Sequence, residues 1–305
     1  MDKKYLIVNP KNGLCNQLAS ISIGIIFGII TKRDIIFKSF QLDYKNFENV
    51  CSFDSVINVN HLQSIINKKN LSINIYSNFN INGEKIITNT TEDIRNIKDF
   101  ISILFKNENK EIQYLDIGCP ISSDIPDEYK KLQDYINLNI KFTQKYIDIA
   151  KTIKQKLDLD YYCCIHLRLE NDALNFMKEL NSKLTEELIN KIYKDKYIEQ
   201  LDILDKYKSK IYICTSLGIN ENINNNFYTE IKEKYNLIDK NDIINITENN
   251  CREIFGIIDY IIAQDSQYFV GCDWSSFSIS IYSYHINNNK NSYLINIWNT
   301  MKNIK

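Results

Sequence analysis

Short β-rich runs alternate with stretches of helical period along the whole chain, and that alternation narrows the fold more than any other feature. Residues 5–8, 35–38, 72–76, 85–88 and 112–115 read as strands, with helices over 17–30 and 93–105 among them. In the second half the expected strands are 161–166, 211–214, 243–246, 268–270 and 292–297. Helices are expected over 142–157, 184–207, 226–235, 250–263 and 276–285. Phe142, Tyr146, Ile149, Ala150, Ile153 and Leu157 recur at the spacing that lays an apolar stripe along one helix face. Strands alternating with helices form parallel sheets with helices on both faces. The segment 107–140 is polar and reads as irregular.

A chain of 305 residues is too long for one small domain. The expectation is an α/β protein of two Rossmann-like domains, 1–155 and 156–305, whose parallel sheets face a central cleft. With 44% hydrophobic residues the core needs no disulfide or metal to hold it. The net charge of −1, from 37 basic and 38 acidic residues, is not the footprint of a nucleic-acid binder. Eight cysteines without a C-x-x-C pair, and only three histidines, argue against a zinc site of ordinary ligand spacing. Cys163, Cys164 and Cys214 lie in apolar runs and read as small buried hydrophobes, in keeping with reduced cytosolic thiols. The amino terminus runs from Met-Asp-Lys-Lys straight into a strand, without a secretory pattern. The longest apolar stretch, 21–30, falls short of the ~20 residues of a membrane helix. The expected setting is the cytoplasm, with no membrane span.

Ligands of open parallel sheets bind beyond the carboxyl ends of the strands. Four such ends carry polar residues. The first is Asn9-Pro10-Lys11-Asn12-Gly13-Leu14-Cys15-Asn16-Gln17, leading into a helix. Gly13 permits a tight turn, and Asn16 suits an N-cap or a contact to a ligand. A plain β–α turn is the alternative. No G-x-G-x-x-G or G-x-x-x-x-G-K-S/T occurs. The second end is His166-Leu167-Arg168-Leu169-Glu170-Asn171-Asp172. The two-residue period of a strand puts His166 and Arg168 on one face. A guanidinium at the end of a buried strand needs an anion, and its fork matches a diphosphate. An internal ion pair with Glu170 or Asp172 would serve it equally.

The third end, Thr215-Ser216-Leu217-Gly218, either lines a nucleotide pocket or forms a turn. The fourth is Phe269-Val270-Gly271 followed by Ser275, Ser276 and Phe277 at a helix start, where hydroxyls and free N–H groups suit phosphate. A serine N-cap with Phe277 in the core is the plainer reading. In the preceding helix Asp259 interrupts an apolar face and needs a partner, and the paired N–H donors of guanine would fit it. Asp158-Leu159-Asp160, an Asp-x-Asp, precedes a strand and reads as a solvated connection.

Together these residues resemble the GDP-fucose-dependent fucosyltransferase superfamily, above all the protein O-fucosyltransferases and their plant-type relatives. The likeness rests on Gly13-Leu14-Cys15-Asn16-Gln17, on His166-Leu167-Arg168 with its following acids, and on Asp259, Phe269-Val270-Gly271 and Ser275-Ser276-Phe277 in that order. It covers roughly 9–31, 161–176 and 253–285. Cys272 departs from the asparagine common after Phe-Ile-Gly in that family. The resemblance implies a GT-B architecture, with the donor in the second domain and the acceptor mostly on the first. It implies an inverting, metal-independent transfer of fucose from GDP-fucose to a hydroxyl of a protein or glycan.

By the same likeness Arg168 binds the β-phosphate, His166 shapes the nucleotide pocket and Asp259 recognises guanine. Ser276 and Phe277, with Ser275, hold the phosphates; Gly13 belongs to the donor-binding set, and Asn16 lines the sugar–acceptor cleft and helps stabilise the departing diphosphate. Glu170 or Asp172 takes the acceptor proton or orients Arg168, and Thr215 joins the donor pocket. No cofactor or metal is expected beyond the donor itself. Two other readings stay open: a related deoxysugar donor of rhamnose type, and a non-catalytic nucleotide-sugar or glycan-binding protein.

Overall fold

The structure, a computed structural model, describes residues 3–43, 46, 48–77, 79, 85–87, 114–120, 125–168, 171–215, 225–243 and 251–304. The chain divides into two compact units, Met1–Tyr146 and Ile147–Lys305. The division falls somewhat before the boundary expected near residue 155.

In the first unit β1 (Tyr5–Val8), β2 (Asp34–Phe37), β5 (Ile75–Ser77), β6 (Lys85–Ile87) and β7 (Tyr114–Asp116) form one sheet in the order β5-β2-β1-β7-β6. Every neighbouring pair is parallel. A separate antiparallel hairpin joins β3 (Ser39–Gln41) to β4 (Val50–Ser52). Tyr5-Leu6-Ile7-Val8 is buried throughout, as a central parallel strand covered on both faces must be. Helix α1 (Leu14–Thr31) lies against this sheet so closely that two of its glycines have no room for a side chain. A Cβ on Gly24 would stand 2.8 Å from Val8, and one on Gly28 would stand 2.7 Å from Ile35. With 18 residues and a mean hydropathy of 1.8, α1 is long and apolar enough to cross a membrane, yet 72% of it is buried as a core helix. Among the described residues the unit has two further helices, α2 (Val59–Lys68) and α3 (Asp127–Asn139).

In the second unit β8 (Tyr162–His166), β9 (Lys210–Cys214), β10 (Tyr268–Cys272) and β11 (Asn291–Ile295) form a parallel sheet in the order β11-β10-β8-β9. Its helices are α5 (Asn171–Leu180), α6 (Glu186–Asp205), α7 (Asn225–Lys234), α8 (Arg252–Asp265), α9 (Ser276–Asn287) and α10 (Trp298–Lys302), while α4 (Gln144–Lys156) leads in from the boundary. Thr185 caps α6 by accepting the Leu188 N–H, and Glu186 and Glu187 favour its positive end. Tyr193, Tyr197, Leu201 and Leu204 along α6 are buried with Ile165, Ile213 and Val270 in one core.

Strand and helix order agrees with the sequence reading, with ends shifted by a few residues. The differences have local causes. Helix α3 lies in the stretch expected to be irregular; among its residues only Ile136 is buried, so no apolar stripe announces it. Helices α2, α5 and α10 and the β3–β4 hairpin were not foreseen. For α2 the signal was present: Asn58 accepts the His61 N–H as a cap, and Leu62, Ile65 and Ile66 form the buried stripe. The expected helix 93–105, and the expected strand 243–246 beyond its first residue, lie outside the described residues.

Candidate active site

In the second sheet the chain passes from β8 to β9 on one side and places β10 on the other, so the strand order reverses between β8 and β10. Open parallel sheets bind ligands beyond the carboxyl ends at such a reversal. Those two ends carry His166-Leu167-Arg168 and Cys272 to Phe277.

His166 ends β8 and is buried. Its Nδ1 lies 2.8 Å from the Ser278 Oγ, and its ring sits 4.7 Å from that of Phe277. The same Ser278 Oγ accepts the Cys272 N–H at 3.0 Å. One hydroxyl therefore fastens the ends of β8 and β10 to the first turn of α9. Gly271 makes this possible: a Cβ there would stand 2.5 Å from both Cβ and Oγ of Ser278. Ser275 caps α9, its Oγ accepting the Ser278 N–H at 3.5 Å. Ser275 is buried, Ser276 is exposed and Phe277 is half-buried. The strand–glycine–serine junction thus serves the plain capping role and brings the residues expected to meet phosphate together. Ser278, which sequence reasoning passed over, is the centre of the junction; only its position one helical turn after Ser275 hinted at it.

Arg168 follows β8 and is half-buried. Its backbone N–H donates to the Tyr197 hydroxyl at 3.0 Å, and its guanidinium carbon lies over the Trp274 ring at 5.6 Å. Trp274 stacks on Phe176 at 5.7 Å, and Phe176 on Trp298 at 5.8 Å. The Asp273 carboxylate accepts the Ile297 and Trp298 N–H groups at 3.0 and 2.9 Å, fixing the start of α10. Glu170 and the side chain of Asp172 lie outside the described residues, though the backbone of Asp172 belongs to α5.

Thr215 follows β9 and is buried; its carbonyl accepts Lys240 Nζ at 2.8 Å. Lys240 is wholly buried and also donates to Asp259 Oδ2 at 2.7 Å. Asp259 Oδ1 accepts the Tyr212 hydroxyl at 2.8 Å. Burial raises the Asp259 pKa, and the nearby Lys240 and the Tyr212 hydroxyl offset part of that rise. Both oxygens of the carboxylate expected to meet guanine therefore have partners within the protein. Lys240 was not foreseen, because it comes from a polar string, Asp239-Lys240-Asn241-Asp242, that gives no sign of burial.

In the first unit the reversal lies between β1 and β7. The helix begins at Leu14 with Gly13 as its cap, so Asn16 is in the first turn instead of at the cap; its N–H donates to the Gly13 carbonyl at 2.9 Å. Gly13 has an ordinary extended backbone, φ −61°, and a Cβ there would meet nothing within 4 Å among the described residues. The left-handed residue of the turn is Asn12, φ 72°. Gln17, wholly buried, holds the loop: its amide donates to the carbonyls of Asn12 and Gln41, and its Oε1 accepts the Gln41 N–H. Gln41 returns the bond by accepting the Asn12 N–H at 2.7 Å. Beside it Lys38 pairs with Asp116 at 3.1 Å, and Asp116 also accepts the Gly118 N–H at 3.0 Å.

Asp158 is exposed and pairs with Lys210 at 2.8 Å, a solvated connection as expected. Among the described residues no group of three or more His, Cys, Asp and Glu is placed to share a metal ion.

A search of curated protein sequences gave no match. The family model described as GDP-fucose protein O-fucosyltransferase matches residues 31–285, well over half of the chain. Among solved structures the chain is similar to POFUT1 in complex with GDP, with a TM-score of 0.66 and 13% identity over 96% of this chain and 99% of that one. It is similar to POFUT1 in complex with GDP-fucose, with a TM-score of 0.64 and 12% identity over 97% and 98%. It is also similar to the fucosyltransferase NodZ from Bradyrhizobium, with a TM-score of 0.58 and 11% identity over 92% of each chain. These likenesses give the fold as GT-B, built from two Rossmann-like domains. On the family match the chain belongs to the GDP-fucose protein O-fucosyltransferases, and it is a glycosyltransferase.

Proposed function

We propose that this protein transfers fucose from GDP-fucose to a hydroxyl of a protein or glycan acceptor, with inversion at the anomeric carbon and without a metal ion. The observation that carries this reading is the meeting of Arg168 with Trp274 and of His166 with Phe277 and Ser278 at the strand-order reversal of the second unit. The POFUT1 structures in complex with GDP and with GDP-fucose support the donor.

As the bond to the leaving diphosphate breaks, negative charge builds on the β-phosphate, and stabilising it lowers the barrier most. Arg168 supplies a charge-assisted bond of about 1.5–3 kcal/mol. The first N–H groups of α9, at Ser276 and Phe277, have no carbonyl of their own helix to bond and suit the same oxygens. His166, set by Ser278 and Phe277, forms the wall beside them. The second unit is the donor side in this reading and the first the acceptor side, with Gly13 and Asn16 at its loop. Glu170 and Asp172 are candidates for taking the acceptor proton or orienting Arg168. Asp259 acts here by holding Lys240 and, through it, the backbone of Thr215, in place of reading guanine directly.

The test is GDP release and fucose transfer from GDP-fucose against a panel of glycan and peptide acceptors. Arg168→Ala is expected to lower turnover by about 10²–10³-fold with the circular dichroism spectrum unchanged. Chelation with EDTA is expected to leave turnover intact, and the product linkage to have the opposite anomeric configuration to the donor. Near-normal turnover by Arg168→Ala, loss of activity in EDTA, or retention of configuration each defeats the corresponding part.

A further inference from the structure

We infer that Trp274 is a positioning residue for the Arg168 guanidinium, at the end of an aromatic ladder that runs Trp274, Phe176, Trp298. The inference rests on the reading of Arg168 as the β-phosphate ligand. Three elements build the ladder: the loop after β10, helix α5 and the start of α10. The successive ring centroids are 5.7 and 5.8 Å apart, with planes inclined by 18° and 25°, so the rings lie nearly parallel. The guanidinium carbon lies over the Trp274 ring, 5.6 Å from its centroid. That is within the range where a planar cation is held by the negative face of an indole.

Among the described residues nothing polar fixes the plane of that indole: its Nε1 is buried and has no hydrogen-bond partner there. The orientation comes from Phe176 on one side and from the chain on either side of it. On its amino side, the Asp273 carboxylate ties this loop to the N–H groups of Ile297 and Trp298 and so registers Trp298 with Phe176. On the strand side, the Arg168 backbone is tied to Tyr197, a buried residue of α6. The guanidinium is thus set against an aromatic ring, and its backbone is fixed. Stacking uses the face of a guanidinium and hydrogen bonding its rim, so this contact does not compete with an oxyanion. A guanidinium arranged in advance loses less freedom when the diphosphate arrives.

The test measures GDP and GMP binding to the full-length protein by titration calorimetry. GMP lacks the phosphate assigned to Arg168, so a positioning defect shows in GDP alone. Trp274→Leu is expected to weaken GDP by about five- to thirty-fold while GMP stays within about twofold. Trp274→Phe keeps the aromatic face and removes the buried orphan N–H. It is expected to hold GDP affinity within about threefold and to melt no lower than the parent. Phe176→Leu, at an exposed position farther along the ladder, shifts the GDP-to-GMP ratio in the same direction by less, and it decides the matter if Trp274→Leu does not fold. Equal losses of GDP and GMP, or no loss of either, would make the indole ordinary packing and overturn the inference. Arg168→Ala is titrated alongside. If it leaves GDP affinity unchanged, the donor-site reading itself fails. If it weakens GDP while the ladder variants do not, only the positioning role fails.

Discussion

At Gly271 a side chain has no room, because Ser278 sits on the strand backbone at 2.5 Å from where a Cβ would be. At Gly13 the space is open and the backbone is ordinary. The two positions therefore answer differently to the same substitution. Gly271→Ala is expected to cost about 1–3 kcal/mol by overpacking, read as a lower urea midpoint, together with weaker GDP binding. Gly13→Ala is expected to leave the urea midpoint unchanged, and a fall in its turnover reports a ligand that approaches the Gly13 backbone. A lower midpoint for Gly13→Ala would refute this use of the position. Both glycines were legible as punctuation after strands. Their opposite reasons were not, because close approach depends on a residue seven positions later that no local pattern singles out.

Helix α8 supplies Asp259, the turn 240–242 supplies Lys240, and β9 supplies Tyr212 and leads to Thr215; the network exists only when these elements are in place. Removing one partner of a buried ion pair leaves the other charge stranded, at a cost of about 3–5 kcal/mol. Lys240→Met should accordingly lower stability by that order, and Asp259→Leu added to it should restore a good part. Additive losses in the double variant, measured by denaturant titration, would show that the two do not act as a pair. The sequence marked Asp259 as a carboxylate in need of a partner, which is correct physics. It could not choose between a protein cation and a nucleobase, since Lys240 stands in a loop-like polar string. His166 and Arg168 were easier to single out, because they follow an apolar strand run, although the strand ends at His166 and Arg168 lies beyond it.

For the molecule as a whole, alternating strands and helices were enough to foresee parallel sheets, because buried central strands such as Tyr5–Val8 must be apolar on both faces. The strand orders, and hence the two reversals, were beyond the pattern, since pairing of distant strands leaves no local trace. Global stability carries a pH signature from His285, wholly buried where α8, α9 and β11 meet. Burial lowers its pKa, although the carbonyls of Ala263 and Asn291 at 2.9 and 3.1 Å favour the proton; Lys290 lowers it further. The unfolded imidazole takes its proton near pH ~6.5 and the folded one only at lower pH. This contribution is therefore full above about pH 6.5 and is lost as pH falls through the folded value. Melting temperatures between about pH 7.5 and 5 should fall on acidification, and His285→Gln should flatten the slope. An unchanged slope would rule His285 out as the cause.

The sheet order also has a consequence during synthesis. Strand β8 leaves the ribosome well before β10, its neighbour on the side of the reversal, with β9 and several helices made between them. Until then β8 has an open edge toward the place of β10, a template for pairing with other chains. The second unit thus waits on β10. Stopping translation before β10 should leave a chaperone client or an aggregate in place of a trimmed domain.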